Sequence, residues 1–129
     1  MARNETEFSV NIPVPGEEPF RGKFRVKVRL SYRDILAMDG LRRQLLGPLN
    51  GGEADGVAQL IASAVAKIRT HATETPSWWT DNGAGLDFED INVVLSVLEE
   101  LKKVETEYYD RLKKDASEAA TELKKGEVK

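Results

Sequence analysis

Residues 20–30 have the sequence FRGKFRVKVRL, which is the clearest pattern in the chain. Apolar side chains alternate with basic ones, and this alternation predicts a β-strand with one face toward a core and the other in water. The apolar face comprises Phe20, Phe24, Val26, Val28 and Leu30. The basic stripe on the other face comprises Arg21, Lys23, Arg25, Lys27 and Arg29. The fold is therefore expected to contain a sheet that needs cover on one side.

A second alternating segment precedes this strand. Between Thr6 and Val14, apolar and polar residues again take opposite sides, with Phe8, Val10 and Ile12 on the apolar side. The intervening residues 15–19, PGEEP, contain the Pro and Gly that a chain reversal requires. The two segments predict a β-hairpin over residues 6–30. Because a two-stranded hairpin is only marginally stable in water, the remaining chain must cover its apolar face.

The remaining chain predicts about three helices, over residues 32–46, 55–73 and from 87 onward. Ser31 and Asp34 form a capping-box pattern at the start of the first helix. Gly47 ends that helix, and a loop at 50–52 follows. We therefore predict an α+β fold: an N-terminal two-stranded antiparallel β-hairpin packed on about three α-helices, with a long C-terminal helix.

Residues 74–86 are rich in Pro and Gly, so we predict no regular structure there. Asp87 is the predicted N-cap of the third helix, because an acidic residue suits a helix N-terminus. Residues 88–90 include two further acids, Glu89 and Asp90. Acids in this arrangement could form a glycosidase-like catalytic pair or a divalent-ion site, but helix capping already explains their position.

The third helix meets no breaker until residue 125, so its length reaches about 55 Å at roughly 1.5 Å per residue. That length exceeds the expected diameter of the domain. We predict a compact domain over residues 1–104 and a charged helical extension over 105–129. The extension should project from the body, pair with another copy or fray.

Composition restricts the possible functions. The chain has 129 residues, no cysteine and one histidine, His71. Disulfides, thiolate metal sites, cysteine nucleophiles and multi-histidine metal sites are thereby excluded. A capping or surface role is expected for His71, and no residue pattern amounts to an active site. We expect a protein that is not an enzyme, holds no cofactor or metal, and has neither a signal peptide nor a membrane span.

Charge is unevenly distributed along the chain. The net charge is −3, made up of +3 over residues 1–50, −5 over 51–98 and −1 over the rest. This polarity suits head-to-tail self-association, so we expect a homo-oligomer. Nucleic acid is not expected as a partner, because the basic stripe lacks interleaved aromatic residues and cations commonly protect exposed strands from aggregation.

Adjacent tryptophans at 78 and 79 are the strongest candidates for protein contact. Tryptophan is enriched at interaction hot spots, and two adjacent indoles do not easily face one core. The alternative is that both fill the gap between hairpin and helices. The predicted contact residues are Trp78, Trp79, Leu60, Ile61, Val65, Ile91, Leu95 and Leu98, with the basic stripe as a predicted charged contact.

Two short motifs, with the apolar second helix between them, carry a family resemblance. They are Leu41-Arg42-Arg43-Gln44-Leu45-Leu46-Gly47 and Thr75-Pro76-Ser77-Trp78-Trp79. In this order, after a basic hairpin, the chain resembles the tail assembly chaperones of long-tailed bacteriophages from about Phe8 to Leu112. The charged tail beyond Leu112 departs from the pattern.

The resemblance implies a non-catalytic role in the host cytoplasm. Such chaperones bind the tape measure protein, help recruit major tail tube protein, and are usually absent from the mature virion. They are also commonly made in a short form and a longer frameshifted form. Two alternatives stay open: a structural head-to-tail connector or minor tail protein, and a small nucleic-acid-binding regulator.

Overall fold

The computed structural model describes residues 4–47 and 56–127, with side chains described as far as Thr121. Strands β1 and β2 are followed by helices α1 and α2, strand β3, helix α3, a 3-10 turn and helix α4. Their bounds are Glu5–Val14 (β1), Glu17–Lys27 (β2), Tyr32–Leu46 (α1), Gly56–His71 (α2), Ala72–Glu74 (β3), Ser77–Asp81 (α3), Gly83–Gly85 (3-10) and Ile91–Glu127 (α4). The predicted α+β class with a long C-terminal helix is confirmed. The predicted loop at 50–52 and the predicted helix start at 55 lie outside the described residues.

The sheet has three strands in the order β1-β2-β3, all antiparallel, rather than the two that were predicted. Helix α2 ends at His71, because the chain then turns to pair Ala72 with Val26 and Glu74 with Arg25. A strand of three residues is too short to show alternation, so the sequence pattern extended the helix to 73 instead. This third strand joins the second helix to the hairpin.

The hairpin buries the predicted apolar face, but the turn is confined to residues 15 and 16, and β2 runs from Glu17 to Lys27 rather than from 20 to 30. Phe8 lies opposite Phe24, and their rings stack with centroids 5.2 Å apart. Helices α2 and α4 cover this apolar face and complete one core. The buried core residues are Phe8, Val10, Ile12, Phe24, Val26, Ala64, Val65, Ile68, Trp79, Val93, Val94, Val97, Leu98 and Leu101.

The segment predicted to be irregular instead contains α3 and the 3-10 turn. Pro76 precedes α3, and the backbone N–H of Trp79 donates to its carbonyl. The short helix is stable in this setting because it places Trp79, which is 1% exposed, in the core. Gly85 permits that placement, since its backbone has φ +102° and a Cβ there would lie 2.7 Å from the indole.

An aromatic cluster joins this segment to β2. It consists of Phe20, Phe24, Trp78, Trp79 and Phe88, whose neighbouring ring centroids lie 4.9 to 6.1 Å apart. Offset and edge-to-face contacts of this kind add to the stabilisation from buried area. The cluster includes Phe88, which was predicted to be helical but lies in the loop before α4.

Helix α1 begins as predicted, whereas α4 does not. Ser31 and Asp34 make both hydrogen bonds of a capping box at the start of α1. Helix α4 starts at Ile91, and the Asp90 carboxylate accepts from the Asn92 backbone N–H at 2.9 Å. The cap is therefore Asp90 rather than the predicted Asp87. Asp87 lies in the preceding loop, where its N–H donates to the carbonyl of Asn82.

Helix α4 is 37 residues long, which corresponds to about 55 Å. Its first half packs against α2 and β1, and every residue from 111 to 121 is exposed. The helix is continuous well beyond the part that contacts the core. The predicted domain boundary at residue 104 stays a prediction.

Two glycines provide a test of this packing. We expect Gly22→Ala to lower the free energy of unfolding by about 1–3 kcal/mol, because the added Cβ would meet Pro76 Cβ at 2.7 Å. Gly40→Ala is the matched control: Gly40 is exposed in α1 with open space around it, so the change should stabilise by about 0.5–1 kcal/mol. Chemical denaturation of both variants measures the difference. Equal effects would contradict the close approach at Gly22.

Candidate protein-interaction surface

The candidate site is a groove between α1 and α2, which we call the α1–α2 groove. It has a volume of about 520 Å³. Its lining is apolar at Ile35, Leu36, Met38 and Ala66, with Ser63 beside them, and charged at Asp39, Arg42 and Lys67. An apolar concave surface with a few charged side chains is the arrangement in which many proteins bind a helix.

Helix α1 packs along α2 but leaves the apolar residues of its first turns exposed. Near its start, Asp34 pairs with Lys27 on β2 at 2.9 Å. At its end, Leu46 is the one residue of the helix that is buried, and it packs with Ala62 of α2. Tyr32, which precedes Asp34, is 86% exposed, and Leu36, which lies between the two attachments, is 74% exposed. Contiguous exposure of this kind commonly marks an interaction site.

The charged residues of the groove are already paired. Asp39 bonds Arg42 at 3.0 Å and Arg43 at 2.7 Å, and these partners lower the pKa of its carboxyl. Lys67 pairs with Glu105 of α4 at 2.9 Å. Paired charges fix the edges of the groove without giving it a strong net field, so its binding preference is set mainly by its apolar lining.

A second apolar patch lies at the start of α2. Val57, Leu60 and Leu86 are exposed there, next to a recess of about 220 Å³. Ile61 lines that recess together with Leu45. Leu60 and Ile61 are thus the two predicted contact residues that the structure places at an open apolar surface.

The other predicted contact residues are not assembled into a surface. Val65, Trp79 and Leu98 are buried in the core, and Ile91 and Leu95 are half-buried on α4. The structure therefore does not bring these residues together on one exposed face, and their part in a protein contact stays a prediction. Helical spacing identifies an apolar face, but the same spacing serves the core and a binding site, and here the core takes that face.

Trp78 packs at the edge of the sheet, beside strand β2. It is half-buried, stacks on Phe20, and its indole N–H donates to the Arg21 carbonyl at 2.9 Å. Strand β3 pairs with β2 only near Val26 and Arg25, so this bond satisfies a β2 carbonyl beyond the end of β3. Trp78 therefore completes the sheet edge, and sequence alone does not reveal this because the two groups lie 57 residues apart.

The basic stripe is partly neutralised by neighbouring strands. Arg25 pairs with Glu7 at 2.8 Å and with Glu74 at 3.2 Å, and the hydrogen bond from Arg25 lowers the pKa of Glu7. Lys27 pairs with Asp34, and this bond, with those from Ser31, lowers the pKa of Asp34 to about 2. The observed register of the hairpin places Glu7 opposite Arg25, which brings the two side chains together.

The remaining cations of the stripe, Arg21, Lys23 and Arg29, are exposed. The guanidinium of Arg21 donates to the side chain of Asn11 at 3.3 Å. With Arg25 and Lys27 already paired, the stripe is an interrupted row of charges on the outer face of the sheet. A continuous cationic track that follows a phosphate backbone is not formed by these residues.

His71 is buried, which corrects the expected capping or surface role. Its Nδ1 lies 2.7 Å from the Lys27 carbonyl and so carries the proton that is donated. Its Nε2 lies 3.8 Å from Glu105, and Lys67 pairs with the same carboxylate. Burial lowers the pKa of His71, so the ring is neutral at neutral pH.

The acids before α4 line a shallow recess of about 340 Å³. Asp87, Glu89 and Asp90 share it with Glu17 and Phe88, among others. Across the described parts of the chain, no group of three or more His, Asp and Glu side chains is placed to hold a metal ion. The acids are therefore accounted for by the start of α4 and the loop that leads into it.

Comparison with known proteins gives no match among family models, curated proteins or solved structures. Of the helices in the described ranges, none combines the length and apolar character that crossing a lipid bilayer demands.

His71 predicts a specific pH dependence of stability. The pKa of the folded state is lowered, whereas the unfolded value is near 6.5, so the unfolded chain binds a proton first. Stability should be full above about pH 6.5 and fall as pH drops through that value toward the folded pKa. Urea denaturation at steps from pH 8 to pH 5 measures this slope.

The control is His71→Asn, which keeps a donor for the Lys27 carbonyl but does not titrate. We expect this variant to lose the slope between about pH 6.5 and 5, even if its overall stability is lower. The lowered pKa values of Glu7, Asp34 and Asp39 act at lower pH, below about 4.5, and remain in the variant. An unchanged slope between pH 6.5 and 5 would show that His71 is not its source.

Proposed function

We propose that this protein is a non-catalytic tail assembly chaperone of a long-tailed bacteriophage. It binds amphipathic helical segments of the tape measure protein in the α1–α2 groove and helps recruit the major tail tube protein. The observation that supports this proposal is the exposed apolar face of α1, above all Leu36 and Tyr32, beside the groove. The family and its client come from the sequence resemblance.

A helical client suits this groove on physical grounds. An amphipathic helix presents apolar residues at three- and four-residue spacing, and these would pack on Ile35, Leu36 and Met38. Its flanking polar residues would meet Asp39, Arg42 and Lys67, which carry both signs of charge. A groove of this composition accepts many related helical segments, as a chaperone for a long helical client requires.

A non-catalytic role agrees with the positions of the titratable groups. His71 is buried and held by a backbone carbonyl, and the acids Asp39 and Asp34 are each engaged in ion pairs. The protein acts in this proposal by covering apolar surface of its client in the host cytoplasm, as a homo-oligomer, and leaves before the virion is mature. It requires no cofactor for this task.

A structural head-to-tail connector or minor tail protein is the second candidate. The same exposed apolar residues would then lie in a permanent interface, because larger apolar patches on a free protein also mark stable assembly contacts. Mass spectrometry of purified virions separates the two: a chaperone is absent, whereas a connector is present in stoichiometric amounts. The nucleic-acid-binding regulator is less well supported, since Arg25 and Lys27 are paired with acids.

We predict that Leu36→Asp reduces client binding. Leu36 is 74% exposed, so the change should leave the fold intact while placing a charge in the apolar lining. Loss of an apolar anchor costs at least about 1–2 kcal/mol, which corresponds to roughly tenfold weaker binding. Co-expression with tape measure fragments, followed by affinity co-purification, measures the loss.

Gln44→Asp is the matched control, because it adds the same charge to an exposed position of α1 that does not line the groove. It should retain client binding. If Leu36→Asp and Gln44→Asp co-purify fragments equally well, the α1–α2 groove is not the client site.

A further inference from the structure

The face of α4 that packs on the body continues beyond the body. Val97 and Leu101 are buried in the core, and Tyr108 is half-buried at the next positions of the same face. Leu112 and Ala119 extend that face at helical spacing and are exposed. The projecting part of α4 therefore continues an established packing surface, and residues 4–47 and 56–121 place no other side chain against it.

Side-chain size divides this projecting surface into two halves. The half nearer the body has bulky residues, Tyr108, Tyr109 and Leu112, and the outer half has the small residues Ala116, Ala119 and Ala120. Two copies that lie antiparallel place the bulky half of one against the small half of the other. Helices approach closely where large and small side chains alternate across the contact.

Charges at the edge of this surface suit the same arrangement. With a two-fold axis between Lys114 and Asp115, Arg111 of one copy lies opposite Glu118 of the other, and Tyr109 lies opposite Ala120. Asp115 lies on the packing face near the axis, and Arg111, four residues earlier on the same helix, is placed to offset the repulsion between the two Asp115 carboxylates. A two-fold contact makes each pair twice, which doubles its effect on association.

We propose that two copies of this chain pair antiparallel through the projecting part of α4, along the face that contains Tyr108, Leu112 and Ala119. The partner is a second copy because one segment supplies both the bulky and the small half of the contact, and both signs of charge. The contact is short and its charges are exposed to water, so the dimer is concentration-dependent and weakens with salt. It does not depend on the identity of the client.

A charge swap tests the register. Sedimentation velocity of the full chain over a range of concentrations should show a monomer–dimer equilibrium. Arg111→Glu should weaken dimerisation about tenfold, because each of two attractive pairs becomes repulsive. Arg111→Glu combined with Glu118→Arg should restore it.

Recovery of dimerisation in the double variant would identify a contact between two chains. Residues 111 and 118 are seven apart, so their side chains do not contact each other within one helix. A restored attraction between them therefore requires a second chain. If the wild type is a monomer at every concentration, or if the double variant remains as weak as Arg111→Glu, the antiparallel pairing is overturned.

Cysteine cross-linking gives a second measurement, since the chain has no native cysteine. Asp115→Cys, near the proposed axis and on the packing face, should form a disulfide-linked dimer under mild oxidation. Ser117→Cys lies on the opposite side of the helix and should not. Equal cross-linking of the two variants, or none in Asp115→Cys, would contradict the arrangement.

Discussion

The contact of Trp78 and Trp79 with strand β2 is the interaction on which this fold depends. The sheet has only three strands, and β3 pairs with just two positions of β2. The indole of Trp78 continues the edge by bonding the Arg21 carbonyl, while Trp79 fills the core against Phe24. Because Gly22 lacks a side chain, the Pro76–Trp78 segment can lie directly on the strand. The hairpin, α2 and α4 are thus joined at one place.

This arrangement determines which surfaces are free. The sheet, α2 and α4 bury their apolar faces against one another in the core. Helix α1 is attached by the Lys27–Asp34 ion pair near its start and by Leu46 at its end. Between those attachments Ile35 and Leu36 remain exposed, whereas Leu45 packs against the core. Availability for a partner is therefore a property of α1 and its groove with α2, whereas the tryptophans serve stability.

The sequence predicts the hairpin, α1 and the long helix well, because their signals are local: alternation on Phe20–Leu30, the Ser31 capping box and an uninterrupted helical pattern. Strand β3 and the site were not predictable in the same way. Ala72–Glu74 is a strand only because β2 offers an edge, and the burial of Val65 and Trp79 depends on contacts distant in the chain. The exposure of Leu36 was not predictable either, because it depends on which side of α1 packs against other elements of the fold.

The position of the two indoles has a spectroscopic consequence. Trp78 and Trp79 are the only tryptophans, and both lie in the aromatic cluster away from the α1–α2 groove. Intrinsic tryptophan emission therefore reports the integrity of the core and is insensitive to occupation of the groove. A titration followed by that emission would record no signal from a bound helix, so a dye attached to α1 is the appropriate optical probe for ligands.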